Sequence, residues 1–473
     1  MILNIFYIVG IYVILINILN TGSDSLNISG KTPLMRAKKL EQYLGVKKIY
    51  LKLEGSNPYG HKFDRISEVI IKDAINQNKD KILVNGSNDY INSIIHFAEK
   101  ENIEVNIPYF KGEDWKLPLF PQESLVDFSK SDTSHMYKLV GGYCNEHNMY
   151  NASNGYRNRN LSVIALQQLG EEISDKLGNN ISTVFTQLSY GYTVASLYNG
   201  FVNKWAHGHI NKYPKIFSCT IPKGNAIFDD YKKNMGIDGL ENYNIEVNKY
   251  TRHLFTGKGS LLEDTLKAIH DTEGRIVSVN QDLLKESAKV LREQENIILS
   301  TEEAYSFAGF YKLAKEGKIK NGKHAIILND GKSDLQLYRV KDFEKYPKEE
   351  ISKWIKEWLL DYSDPLKETL DAVNTAVDTG FILLALRNNI PQGVCVVVHS
   401  GFKDFIPTYH LAYIVTKKGN KGRGIATELI NEMIELTNGN LSLHVDFDNK
   451  RAISLYEKLG FETKYARMIY SEE

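Results

Sequence analysis

Lys62 lies in the run Lys52-Leu53-Glu54-Gly55-Ser56-Asn57-Pro58-Tyr59-Gly60-His61-Lys62-Phe63-Asp64-Arg65, a turn that should open a helix. A lysine so placed is a candidate Schiff-base nucleophile. Glycine lets the backbone approach a ligand, the N–H groups of a helix start attract an anion, and an amine near that positive end has a lowered pKa. Such a site suits an aldehyde cofactor carrying a phosphate, although Asn-Pro-x-Gly with a solvated lysine is also an ordinary turn. A second chemical pattern stands near the C-terminus, where residues 410–416 form an apolar strand that runs into Lys417-Lys418-Gly419-Asn420-Lys421-Gly422-Arg423-Gly424 and then a helical pattern to about Leu436. Strand, glycine-rich turn and helix are what pyrophosphate binding needs, with lysine and arginine adding charge.

The elements that must position these residues alternate. Short apolar runs at 49–53, 81–84, 105–108, 183–186, 216–221 and 325–328 are fit for buried strands, and periodic segments such as 162–177 and 283–295 read as helices between them. An α/β fold with mostly parallel strands follows. Near residue 345 the pattern changes: Tyr346-Pro347-Lys348 opens an amphipathic helix, and 381–386 and 394–398 are strands around the hairpin-like connection 387–393. The chain of 473 residues is too long for one domain. Its 58 basic and 58 acidic residues give no net charge and no basic patch, which argues against nucleic acid as a partner. Cys144, Cys219 and Cys395 are far apart and odd in number, which fits a reducing compartment and no metal site. The histidines, including His207 and His209, read as surface or polar-network residues.

The Lys62 segment resembles the cofactor-lysine motif of fold-type II pyridoxal-phosphate enzymes, the threonine synthase and tryptophan synthase β-subunit group. The resemblance begins at Gly30-Lys31-Thr32-Pro33-Leu34 and continues through Arg36, Gly45, Lys52, Glu54, Asn57-Pro58 and Gly60. It resumes at 302–317, Gly322-Lys323 and the strand 325–328. It implies a two-lobed α/β module over residues 28–338 with pyridoxal 5'-phosphate as cofactor and Lys62 as the lysine that carries it. Further, it implies cofactor contacts from Asn88, a phosphate site at Ser189, Gly191 and Thr193, and Asn329 near the pyridine nitrogen. The chain departs from the family at three places. Its lysine stands one residue earlier than the family spacing, and such a shift near a helix start turns a side chain by about 100 degrees unless the loop compensates. Asn85-Gly86-Ser87-Asn88 replaces a Ser-Gly-Asn loop, and Tyr190 and Tyr192 stand where phosphate-loop glycines are expected.

Over about residues 350 to 470 the chain resembles the GNAT acetyltransferases, which implies a smaller α/β acyltransferase domain at 345–473. Residues 443–445, Asn449, Ala452 and Leu455-Tyr456-Glu457-Lys458-Leu459-Gly460-Phe461 follow the glycine loop at that family's spacing. By this resemblance Gly419, Asn420, Lys421, Gly422, Arg423 and Gly424 bind the pyrophosphate of acetyl-CoA, Asn449 contacts the pantetheine arm, and Tyr456 protonates the departing thiolate. Tyr456 also suits a helix packed on a sheet. Acetyl transfer needs a deprotonated amine, so a base or water relay belongs near the strand 410–416, and His410 is the candidate.

Residues 1–22 are almost wholly apolar with no charge before Asp24. They read either as a membrane anchor that leaves the catalytic domains in the cytoplasm or as a misassigned start. The expected function is bifunctional. The first module would perform elimination or replacement on an amino acid, and the second would acetylate an amine, with a homodimer allowed. The alternatives are an acetyltransferase whose first module senses amino acids or serves as a scaffold, and a membrane-tethered binding protein.

Overall fold

The computed structural model describes residues 28–131, 136–153, 158–234, 246–256, 260–359, 365–387, 389–403, 406–418 and 425–464. The apolar segment 1–22 and the glycine loop 419–424 lie outside these residues. Among the described residues no helix is long and apolar enough to cross a membrane. The chain divides into two compact units, Met1–Lys332 and Ser333–Glu473. The division falls before residue 338 because the strand Gln336–Arg339 is hydrogen-bonded to Phe381–Arg387 of the second unit.

The first unit is built on a six-stranded and a four-stranded sheet, as expected of a two-lobed α/β module. The larger has the order Leu34–Arg36, Ile49–Leu53, Lys323–Leu328, Ile181–Gln187, Lys215–Thr220, Arg275–Ser278. Only the first pair is antiparallel. The smaller runs Leu125–Phe128, Glu104–Phe110, Lys81–Leu83, Tyr150–Asn151, with all pairs parallel. Helices cover both faces of the larger sheet, so central strands such as Ile181–Gln187 are buried almost throughout. The helices Arg159–Leu177 and Tyr192–Ala206 pack closely because both carry glycine where they cross. A Cβ on Gly170 would come within 2.9 Å of the Leu197 carbonyl oxygen, and one on Gly200 within 2.5 Å of the Gln167 carbonyl oxygen.

A buried ionic network ties the N-terminal strands to the helix Asp64–Asn76. Arg65 bonds Glu54 at 2.7 and 2.9 Å and Glu172 at 2.7 and 2.9 Å, while Lys52 Nζ lies 2.5 Å from Glu172. With Glu54 fully buried, the charges need this mutual pairing.

In the second unit, a five-stranded sheet runs Gln336–Arg339, Phe381–Arg387, Ile390–His399, Tyr409–Thr416, Leu441–Leu443. Strand periodicity of two divides its apolar residues between two cores. Phe381, Leu383, Ala385, Cys395 and Val397 face Ile425–Leu436 and Tyr456, and Ile382, Leu384, Leu386, Val394 and Val396 face Lys348–Leu359 and Leu366–Thr379. The hairpin is tighter than expected: pairing reaches Arg387↔Ile390, which removes most of 387–393 from the connection. Tyr409–Thr416 pairs in parallel with Leu441–Leu443 over three residues and then continues without it.

Candidate active site

The first unit holds a cavity of about 430 Å³, within the roughly 300–1,000 Å³ usual for small-molecule sites. Gln187, Asn329, Asn85 and Ser153 line it, each at or just beyond the C-terminal end of a parallel strand. That is where open α/β sheets bind ligands.

Asp64 builds the lysine turn. Its Oδ2 accepts from the N–H of Tyr59 at 2.7 Å and of Gly60 at 3.2 Å, and its Oδ1 accepts from Ser93 Oγ at 2.7 Å. Gly60 has φ +111, a conformation that L side chains rarely adopt. Lys62 N–H donates to the Asn329 carbonyl at 2.8 Å, and Lys62 Nζ lies 2.8 Å from Thr193 Oγ1. The lysine is thus two residues ahead of the helix Asp64–Asn76, with its amine at the cavity despite the one-residue displacement. Burial lowers Lys62 to about 8 against the attraction of Glu303 and Glu54. The main cause is desolvation.

The anion corner adjoins the lysine amine through Thr193. Gly191, with φ +88, precedes the helix Tyr192–Ala206, and a Cβ there would stand 2.1 Å from Thr265 Oγ1. The first N–H groups of that helix have no partner within it, and Thr193 adds a hydroxyl. Ser189 shapes the loop: its hydroxyl donates to the His253 carbonyl at 3.0 Å. Asn225, which the sequence did not single out, secures the same loop by donating to the carbonyls of Ser189 at 3.1 Å and Leu254 at 2.9 Å. Asn88 opens the helix Asn88–Lys100 and accepts from Asn92 at 3.2 Å, while Ser87 caps the same helix. Asn85 faces the cavity with its Oδ1 held 2.9 Å from the buried Lys116 ammonium.

Asn329 stands beside Glu303, which sequence reasoning missed because an acidic pair opening a helix is read as solvated. Glu303 is 5% exposed and accepts from Asn329 and Gln187. Burial disfavours its carboxylate, but His61, His253 and the Asn329 amide outweigh that and hold it well below the usual carboxylate range. His61, Asp89 and Glu303 bring ligand-type atoms within 4.8 Å of one another. Phe63 N–H donates to His61 Nδ1 at 3.1 Å, so the neutral ring carries its proton on Nε2, 3.9 Å from Glu303. The group is therefore arranged as one donor facing two acceptors rather than as a set of metal ligands.

These residues fit pyridoxal phosphate. A buried amine suits its aldehyde, the helix N-terminus at Gly191 suits its phosphate, and the buried amide oxygens of Asn329 and Gln187 have no donor among the described residues. Lys62, Asn88, Ser189, Gly191, Thr193 and Asn329 all line the one cavity.

In the second unit, His410 Nδ1 lies 3.0 Å from Ser442 Oγ, and its ring centre is 4.4 Å from that of His444, a residue the sequence did not single out. Tyr456 packs among Cys395, Leu411 and Met433 with its ring 5.8 Å from Phe461. Burial pushes its hydroxyl up to about 12, so the group keeps its proton. Asn449 caps the helix Lys450–Lys458 by accepting from Ala452 N–H at 3.1 Å, which leaves its amide NH2 for other partners. The predicted pyrophosphate loop, Gly419 to Gly424, lies outside the described residues.

Residues 26–331 match the family described as pyridoxal-phosphate dependent enzymes, and residues 343–461 match the acetyltransferase (GNAT) family. The chain belongs to the pyridoxal-phosphate dependent enzyme family, in its fold-type II form, and carries a C-terminal GNAT acetyltransferase domain. It is 24% identical over 309 residues to a threonine synthase of Methanocaldococcus jannaschii, across 64% of this chain and 74% of that protein. The C-terminal part is 29% identical over 164 residues to an uncharacterized N-acetyltransferase of the same organism, across 33% of this chain and 64% of that protein. Among solved structures, the processed form of threonine deaminase isoform 2 from Solanum lycopersicum has TM-score 0.50 at 18% identity, covering 68% of this chain and 89% of that one. A cysteine synthase from Entamoeba histolytica has TM-score 0.50 at 14% identity, covering 75% and 96%. At these identities the structures speak for the fold alone.

Proposed function

We propose that the chain is a bifunctional enzyme whose first unit eliminates or replaces a group on an amino acid and whose second unit acetylates an amine from acetyl-CoA. The observation that carries the first activity is the buried Lys62 amine, lowered to about 8, at a cavity that also holds the anion corner at Gly191 and Thr193. At pH 7 such a lysine is unprotonated in roughly one molecule in ten, against about three in ten thousand at the ordinary value. Bound there, pyridoxal phosphate would supply an electron sink for charge developing beside an amino group. Thr193 holds the amine in place, Gly191 and the following N–H groups bind the phosphate, and the wall at Glu303 and Asn329 orients the ring. Lys62, once free, is the base within reach of a substrate proton.

For the second unit the support is the place where Tyr409–Thr416 and Leu441–Leu443 part after three paired residues, with Tyr456 protonated in the core and His410 on the parting strand. In this reading Tyr456 delivers a proton to the departing thiolate, and His410 receives one from the attacking amine. Joining both activities in one chain raises the local concentration of any shared intermediate. The test is release of free CoA from acetyl-CoA with a panel of amino acids, alongside the absorbance change on adding pyridoxal phosphate. Loss of one signal without the other separates the two assignments.

A further inference from the structure

Two amides and a carboxylate form one wall of the cavity in the first unit. Glu303 Oε2 accepts from Asn329 Nδ2 at 2.7 Å and from Gln187 Nε2 at 3.1 Å. An ionised carboxylate only accepts, so it turns the NH2 of both amides toward itself and fixes which atom is oxygen. Asn329 Oδ1 and Gln187 Oε1 are then both buried with no hydrogen-bond donor among the described residues, and both residues line the cavity. Buried acceptors are normally paired. The wall therefore calls for a ligand that brings an N–H and tolerates a neighbouring negative charge.

The polar groups of pyridoxal phosphate sort themselves against this wall. Its phosphate is an acceptor that Glu303 would repel, and its aldehyde, with the hydroxyl on the adjacent ring carbon, belongs at Lys62. The ring nitrogen remains, and it satisfies the orphaned oxygens only as a donor.

We propose that Glu303, Asn329 and Gln187 form the seat of a protonated ring nitrogen, with Asn329 Oδ1 as its direct acceptor and Glu303 as the buried counter-charge. This rests on the reading of the cavity as a pyridoxal-phosphate site. The titratable groups facing Glu303 are His61 at 3.9 Å, His253 at 3.8 Å, the half-buried Asp330, and Lys62. A protonated ring withdraws electrons more strongly than a neutral one, so the seat assigns the first unit to chemistry that needs a strong electron sink.

The test is the nitrogen-15 NMR resonance of the full-length protein loaded with pyridoxal phosphate labelled at the ring nitrogen. The expected result is a resonance at the pyridinium position across neutral and mildly alkaline pH, moving to the free-base position in Glu303→Gln. Should that variant fail to fold, Asn329→Ser, which replaces the fixed acceptor by a rotatable hydroxyl, is expected to move it the same way. A free-base resonance in the unaltered protein overturns the proposal while leaving the cofactor bound. A resonance unchanged in both variants also overturns it. If only free cofactor is seen, the reading of the cavity itself is wrong and the proposal falls with it.

Discussion

Lys62→Met should make the first unit more stable near neutral pH, because a buried ammonium held for chemistry is a cost to folding. Lys62 is 5% exposed and its pKa is lowered from 10.5 to about 8 by burial. A shift of about 2.5 units corresponds to about 3 kcal/mol that disfavours the folded state wherever the amine is protonated in both states. Methionine keeps an unbranched chain of similar length and removes that cost. It also removes the 2.8 Å bond to Thr193 Oγ1, worth about 1 kcal/mol. The net gain is about 2 kcal/mol at pH 7, or about 1 M in the urea midpoint for a slope near 2 kcal/mol/M. The sign follows from the two states: the unfolded chain binds more protons between about pH 8 and 10.5, so the unaltered protein gains stability over that interval and the difference shrinks. Urea unfolding of both proteins in the absence of cofactor, at about pH 7 and again above pH 10, measures it. A methionine variant that is less stable at pH 7, or a difference that does not change with pH, refutes the reasoning.

Gly191→Ala should cost about 1–2 kcal/mol from its φ of +88. The 2.1 Å approach to Thr265 Oγ1 should further displace the anion corner, seen as weakened pyridoxal-phosphate binding in calorimetry. Arg65→Met leaves the buried Glu54 without its ion-pair partner while Glu172 keeps Lys52, a loss of about 3–5 kcal/mol by urea unfolding. Burial pushes Glu172 up, but Arg65 and Lys52 outweigh it and bring it down to about 2. The unaltered protein should therefore lose this stabilisation as pH falls from the ordinary carboxylate value toward 2, and the variant should show a smaller loss over that range. Tyr456→Phe keeps the ring packed against Phe461 and should lower the rate of CoA release by about 100-fold or more without changing the melting temperature.

Much of the fold was legible because buried parallel strands are continuous apolar runs. Residues 325–328 announce themselves this way, whereas 381–386 are apolar throughout and only the geometry of a strand divides them between the two cores of the second unit. Short edge strands such as Leu34–Arg36 and Tyr150–Asn151 carried no such signal, since pairing with a neighbour and not their own composition makes them strands. The lysine was found from its glycine turn, yet its direction could not be, because Asp64 sets that turn through bonds to Tyr59, Gly60 and the distant Ser93. Glu303, Gln187 and Asn225 stayed hidden for a related reason. Their roles come from partners that the sheet brings together across 26 to 116 residues, and no local spacing records them.

The central claim is that Lys62 is the residue that holds pyridoxal phosphate. Its most direct test is borohydride reduction of the purified protein loaded with the cofactor, followed by proteolysis and mass spectrometry of the labelled peptide. The account predicts loss of the absorbance band of the bound cofactor on reduction and a single labelled peptide with the modification on Lys62. A label on any other lysine, or no label at all, contradicts it.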